Sequence, residues 1–75
     1  MRDNTHKKYV SSLLTDQDMK VLKLVVKGQS NKEIAANLTI SHSTVKRHLE
    51  NIFHKLHLKN RVEAAVYGVR MGIAP

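Results

Sequence analysis

The sequence predicts an all-α domain, a four-helix bundle containing a helix-turn-helix, and three observations carry that prediction. Apolar residues recur three and four positions apart in four successive segments, the period of one helix face. Each segment opens on a residue suited to capping, and none alternates apolar with polar residues long enough to make a strand. Residues 31–56, NKEIAANLTISHSTVKRHLENIFHKL, read as two helices joined by a tight turn.

Residues 1–12, MRDNTHKKYVSS, are polar, basic and without period, which predicts a mobile arm or linker ahead of a domain over residues 13–75. Val10, Leu13 and Leu14 are expected to pack on its edge. Thr15 with Asp18 three residues on reads as an N-cap, and Asp16 adds negative charge to the positive first turn. Met19, Leu22, Val25 and Val26 follow at helical spacing, and Gly28 ends the first helix. Ser30 with Glu33 is a capping box for a short second helix carrying Ile34, Ala35 and Leu38. Ala35 and Ala36 leave room for a neighbouring helix, and residues 37–40 are expected to turn the chain.

Ser41 caps a third helix over about residues 42–57. At about 100° per residue, Val45, Leu49, Ile52 and Leu56 fall in one stripe, while Ser43, Arg47, Glu50 and His54 point the opposite way. Asn60 with Glu63 repeats the capping signature for a fourth helix over about residues 61–71, with Gly72 as its stop.

Composition narrows the function. Seventy-five residues make one small core, too little for an enclosed active-site cavity and its supporting shells. Thirteen Lys and Arg against six Asp and Glu give a formal charge of +7, which points to a polyanion: nucleic acid first, an anionic membrane surface second. The absence of Cys excludes disulfides and thiolate metal sites. Charges interrupt every apolar run, so no signal peptide or membrane span is expected, and the chain reads as cytoplasmic. His54 and His57 lie close together without a carboxylate or thiolate at ligand spacing, so no metal is expected. His48 falls beside the apolar stripe, where it would bond backbone or touch phosphate. No nucleophile, glycine-rich phosphate loop or carboxylate pair appears, so no enzyme activity and no cofactor is expected.

A short helix, a turn and a second helix with a polar and basic outward face suit duplex DNA, whose major groove admits a helix and presents distinguishable base edges. The candidate base readers are Ser43, Lys46, Arg47 and Glu50. Lys46 and Arg47 donate, as guanine O6 and N7 require; Glu50 accepts, as from the cytosine amino group, or pairs within the helix with Lys46, Arg47 or His54. Candidate phosphate contacts are Ser30, Asn31 and Lys32 at the start of the second helix, Thr44 at the start of the third, and Lys55, Lys59, Asn60 and Arg61 at the junction to the fourth. Ala64, Ala65 and Gly68 suit close inward packing, leaving Val62, Val66 and Val69 as a second apolar stripe for a dimer contact. The alternative is a basic helical interaction module for an acidic protein or an anionic membrane, in which Leu49, Ile52 and Leu56 would face the partner.

The segments LTDQDMKVLKLVVKGQSNKEIAANLTISHSTVKRHLENIFHKL and LKNRVEAAV, covering Leu14 to about Gly72, resemble the C-terminal DNA-binding domain of the LuxR/FixJ/NarL family of bacterial transcription regulators, GerE-like members included. The blocks GQSNKEIA, LTIS, TVKRHL and NRVEAA stand in that family's order and spacing. The resemblance implies four helices, the third in the major groove and the fourth in a dimer. It places base reading at Lys46, Arg47 and Glu50, and backbone contact at Thr44, Lys32 and Asn60 or Arg61. Glu50 departs from the basic or neutral residue common in relatives. The implied partners are duplex DNA, a second copy of the chain on that DNA and RNA polymerase, with no small-molecule ligand and no membrane. The implied setting is the bacterial nucleoid, as the effector domain of a two-component response regulator or as a stand-alone factor.

Overall fold

Four helices follow one another in the order the sequence predicts: α1 over Asp16–Val26, α2 over Asn31–Leu38, α3 over His42–Leu56 and α4 over Arg61–Arg70. The computed structural model describes residues 13–73. The expected arm or linker over residues 1–12, and Val10 with it, lies outside the described residues. Among the described residues there is no strand, and no helix is long and apolar enough to cross a membrane.

Local chemistry sets the helix ends. Thr15 and Asp18 form a reciprocal capping box at α1, and Ser30 and Glu33 form another at α2, each pair satisfying two amides that have no partner inside the helix. Asn60 caps α4 through its side chain, which accepts from the Glu63 N–H at 2.9 Å. The reciprocal bond is displaced by one residue, since Glu63 Oε1 accepts from the N–H of Lys59 at 2.7 Å. α1 closes in a Schellman motif: Gly28 takes φ +85°, its N–H donates to Val25 O at 2.9 Å, and the Gln29 N–H donates to Leu24 O at 3.1 Å.

α4 ends at Arg70, one residue before the expected end, and two other boundaries differ from expectation for one reason. α2 runs through Leu38 and the connection is residues 39–41, because Thr39 takes the left-handed conformation at φ 57° that ends the helix. His57 does the same at φ 56° and ends α3 at Leu56. Neither is a glycine, so neither announces itself.

The core is Leu14, Val21, Leu22, Val25, Ile34, Val45, Leu49, Ile52 and Ala64, each larger aliphatic contributing about 1.5–3 kcal/mol by burial. α1 is the central element, packed on α2, α3 and α4. Its inward face is rotated from the expected one: Asp18, Val21, Leu22 and Val25 are buried, whereas Met19 and Val26 are half-buried. Leu14 belongs to the core rather than the edge, and Ala36 is exposed, so only Ala35 of that pair packs inward.

On α4, Ala64 and Gly68 are buried and Ala65 is half-buried. A Cβ on Gly68 would collide with Val26 Cγ2 on α1, a branched side chain with little freedom to turn aside. Gly68→Ala is therefore expected to lower stability by about 1–2 kcal/mol, since the crowding outweighs the gain in helix propensity. An unchanged or raised denaturation midpoint would show that α1 and α4 separate at little cost.

Candidate nucleic-acid interface

α3 presents the ridge that the sequence predicts. Val45 and Ile52 are fully buried and Leu49 nearly so, with Leu56 half-buried against them. On the opposite side Ser43, Lys46, Arg47, Glu50 and His54 are all exposed. With 15 residues the helix is about 22 Å long, and among the described residues nothing covers its outer face. Burial of Leu49 and Ile52 removes the surface that an interfacial amphipathic helix would need.

The amino end of α3 is held by one hydroxyl. Ser41 Oγ accepts from the Thr44 N–H at 3.1 Å, and lies 2.7 Å from Thr44 Oγ1 and 3.1 Å from Ser43 Oγ. Thr44 is half-buried and Ser43 exposed, so both hydroxyls stand at the positive end of the helix dipole, where anions are favoured. Glu50 is the sole carboxylate of α3, and among the described residues it pairs with none of Lys46, Arg47 or His54. Its acceptors stay available.

The expected phosphate contacts divide into two groups. Ser30, Lys32, Lys59 and Asn60 are exposed, with Ser30 and Asn60 also serving as caps. Asn31, Lys55 and Arg61 are engaged within the chain. Lys55 Nζ donates to Asp18 Oδ2 at 3.0 Å. Arg61 Nη1 donates to Asn31 Oδ1 at 2.6 Å and its Nη2 to the backbone oxygen of Gln29. These side chains join neighbouring helices.

The polar centre around Asp18 was missed by sequence reasoning. Its side chain is 1% exposed, yet it lies 2.7 Å from His48 Nδ1 and 3.0 Å from Lys55 Nζ, two turns apart on α3. Its Oδ2 also accepts from the Thr15 N–H at 3.2 Å. Burial pushes the carboxyl up in pKa, but hydrogen bonds from His48, Lys55 and Thr15 together with the Lys55 charge outweigh it and hold the group below the usual aspartate value. An ionised carboxylate has no proton to give, so His48 Nδ1 carries the hydrogen. His48 thus bonds a side chain of α1 instead of backbone or phosphate. The available signal was register: Asp18, Val21, Leu22 and Val25 share one face of α1, and a carboxylate within an apolar stripe needs partners.

The exposed stripe expected on α4 is present, with Val62 71%, Val66 46% and Val69 61% exposed. It borders shallow apolar hollows lined by Leu58, Ala65, Tyr67 and Arg70. Among the described residues no group of three or more His, Asp or Glu could hold a metal ion.

Residues 12–68 match the family model described as bacterial regulatory proteins, luxR family. The chain is 44% identical over 61 residues to the transcriptional regulatory protein LnrK of Bacillus subtilis, covering 81% of this chain and 28% of that protein. It is 45% identical over 64 residues to a nitrate/nitrite response regulator protein homolog of Haemophilus influenzae, covering 85% of this chain and 31% of that one. To the response regulator protein VraR of Staphylococcus aureus it is 44% identical over 55 residues, 73% of this chain and 26% of VraR. The chain thus spans less than a third of the length of these curated relatives.

Proposed function

The chain belongs to the luxR family of bacterial regulatory proteins, and from that premise we propose that it binds duplex DNA sequence-specifically with α3 in the major groove. One observation supports this above the rest: Lys46 and Arg47 stand on a bare ridge whose reverse side, Val45, Leu49 and Ile52, is sealed in the core. Ser43, Lys46, Arg47 and Glu50 read base edges; Lys32, Ser30, Thr44, Lys59 and Asn60 hold phosphates on either side. Asn31, Lys55 and Arg61 act by tying the frame together. Binding is expected to weaken with salt on a log–log slope of several units, because each phosphate neutralised releases counterions. A flat salt response on duplex DNA would remove this reading.

The α4 stripe serves a second copy of the chain. Val62, Val66 and Val69 form an uncharged strip with Glu63 near one end and Arg70 at the other, so two such helices run antiparallel about a two-fold axis would set opposite charges side by side. Val66→Lys is expected to leave binding to a single half-site within about twofold of wild type, since Val66 is exposed and lies on α4, outside the helix-turn-helix. Binding to inverted paired half-sites would lose its cooperative advantage of roughly 5- to 150-fold. Titration of both duplexes measures the split, and equal effects on the two would place the copies elsewhere.

Two of the relatives are called response regulators, which supports a reading of the setting. The chain corresponds to the effector domain of such a two-component regulator, acting at the nucleoid in the cytoplasm. Phosphorylation-dependent binding by the whole protein would test it.

A further inference from the structure

We propose that Arg61 is a positioning residue that fixes the angle between α4 and the helix-turn-helix, and with it the separation of half-sites that a pair of chains accepts. This rests on the reading of the α4 stripe as a contact between two copies. α4 packs on α1, with Ala64 and Gly68 buried, and its hydrogen-bonded link to α2 lies at its amino end. There Arg61, the first residue of α4, reaches Asn31 Oδ1 with Nη1 at 2.6 Å and the backbone oxygen of Gln29 with Nη2.

Asn31 is the first residue of α2, and Gln29 closes the Schellman end of α1. The Gln29 side chain in turn accepts from Asn37 Nδ2 at 3.3 Å, near the far end of α2. One guanidinium therefore joins the ends of α1, α2 and α4. Its planar fork fixes two acceptors relative to each other, which a lysine ammonium does not do. Val62, the first residue of the exposed stripe, follows directly. Any tilt of α4 at this end swings that stripe relative to α3, and so changes how far apart two recognition helices stand.

The test uses half-sites selected from random DNA by the wild-type chain. One duplex carries a single half-site; a series carries two inverted half-sites whose separation changes by one base pair at a time. Arg61→Lys and Asn31→Ala are expected to bind the single half-site within about twofold of wild type. Their preference for the best separation over its neighbours should fall by roughly tenfold, the equivalent of one charge-assisted hydrogen bond. Arg61→Lys decides between roles, because it keeps a charge for phosphate but loses the fork. If it keeps the full preference, or loses single-site affinity to the same extent, the positioning role is overturned. Asn31→Ala probes the same joint from the α2 side without altering Arg61. A wild type indifferent to separation would overturn the two-copy reading and this role together; a wild-type preference that both variants retain would overturn this role alone.

Discussion

Replacing Lys46 and Arg47 together by alanine is expected to lower affinity for a selected operator by about 2–6 kcal/mol per half-site, at about 1–3 kcal/mol for each lost base contact. That is roughly 30-fold to 25,000-fold. Both side chains are exposed and form no ion pair among the described residues, so stability should stay within about 0.5 kcal/mol of wild type. Base contact and phosphate contact leave different signatures. Loss of base contacts relaxes preference at particular operator positions and spares random-sequence DNA, whereas loss of phosphate contacts weakens all sequences alike and lowers the salt slope by about one per residue. A double variant that folds normally and binds operator as tightly as wild type would remove α3 from the groove.

Much of this geometry was legible because α3 obeys its own period. Val45, Leu49 and Ile52 are separated by four and three residues, so one stripe had to face inward and the residues opposite, Ser43, Arg47 and Glu50, had to face out. Capping chemistry was equally local: Ser30 with Glu33 and Thr15 with Asp18 declare their helices within four residues. What escaped were features that need two distant segments or a conformation the residue type does not advertise. Thr39 in the left-handed region is one, since β-branched residues rarely adopt it and the polar Asn37 drew the expected turn too early. Asp18 is another, because the capping role it does perform explained it without reference to His48, 30 residues away. Lys55 and Arg61 look like surface cations in one dimension and become helix joints only in three.

Asp18→Ala should be strongly destabilising while leaving every candidate base-reading residue in place. It strips His48 and Lys55 of their acceptor and undoes half of the α1 capping box. Breaking a buried ion pair costs about 3–5 kcal/mol, but Lys55 keeps 32% of its side chain in solvent and turns partly outward, so about 2–4 kcal/mol is expected. For a domain this size, with total stability of about 4–11 kcal/mol at the usual per-residue rate, that is a large fraction.

Acid separates the carboxylate from the packing around it. Asp18 is held below its unfolded pKa, so the unfolded chain binds its proton more readily, and the stability it contributes is present above about pH 4 and lost as pH falls through the lower folded value. Asp18→Asn keeps the shape and lacks that titration. The stability gap between wild type and Asp18→Asn should be full at neutral pH and shrink below about pH 4. Parallel denaturation midpoints for the two proteins down to pH 2 would show that Asp18 fills space and does no electrostatic work. A shrinking gap would mean that the rotation of α3, and so the outward aim of Lys46 and Arg47, is secured by charge as well as by the apolar stripe, which by itself tolerates a roll about the helix axis.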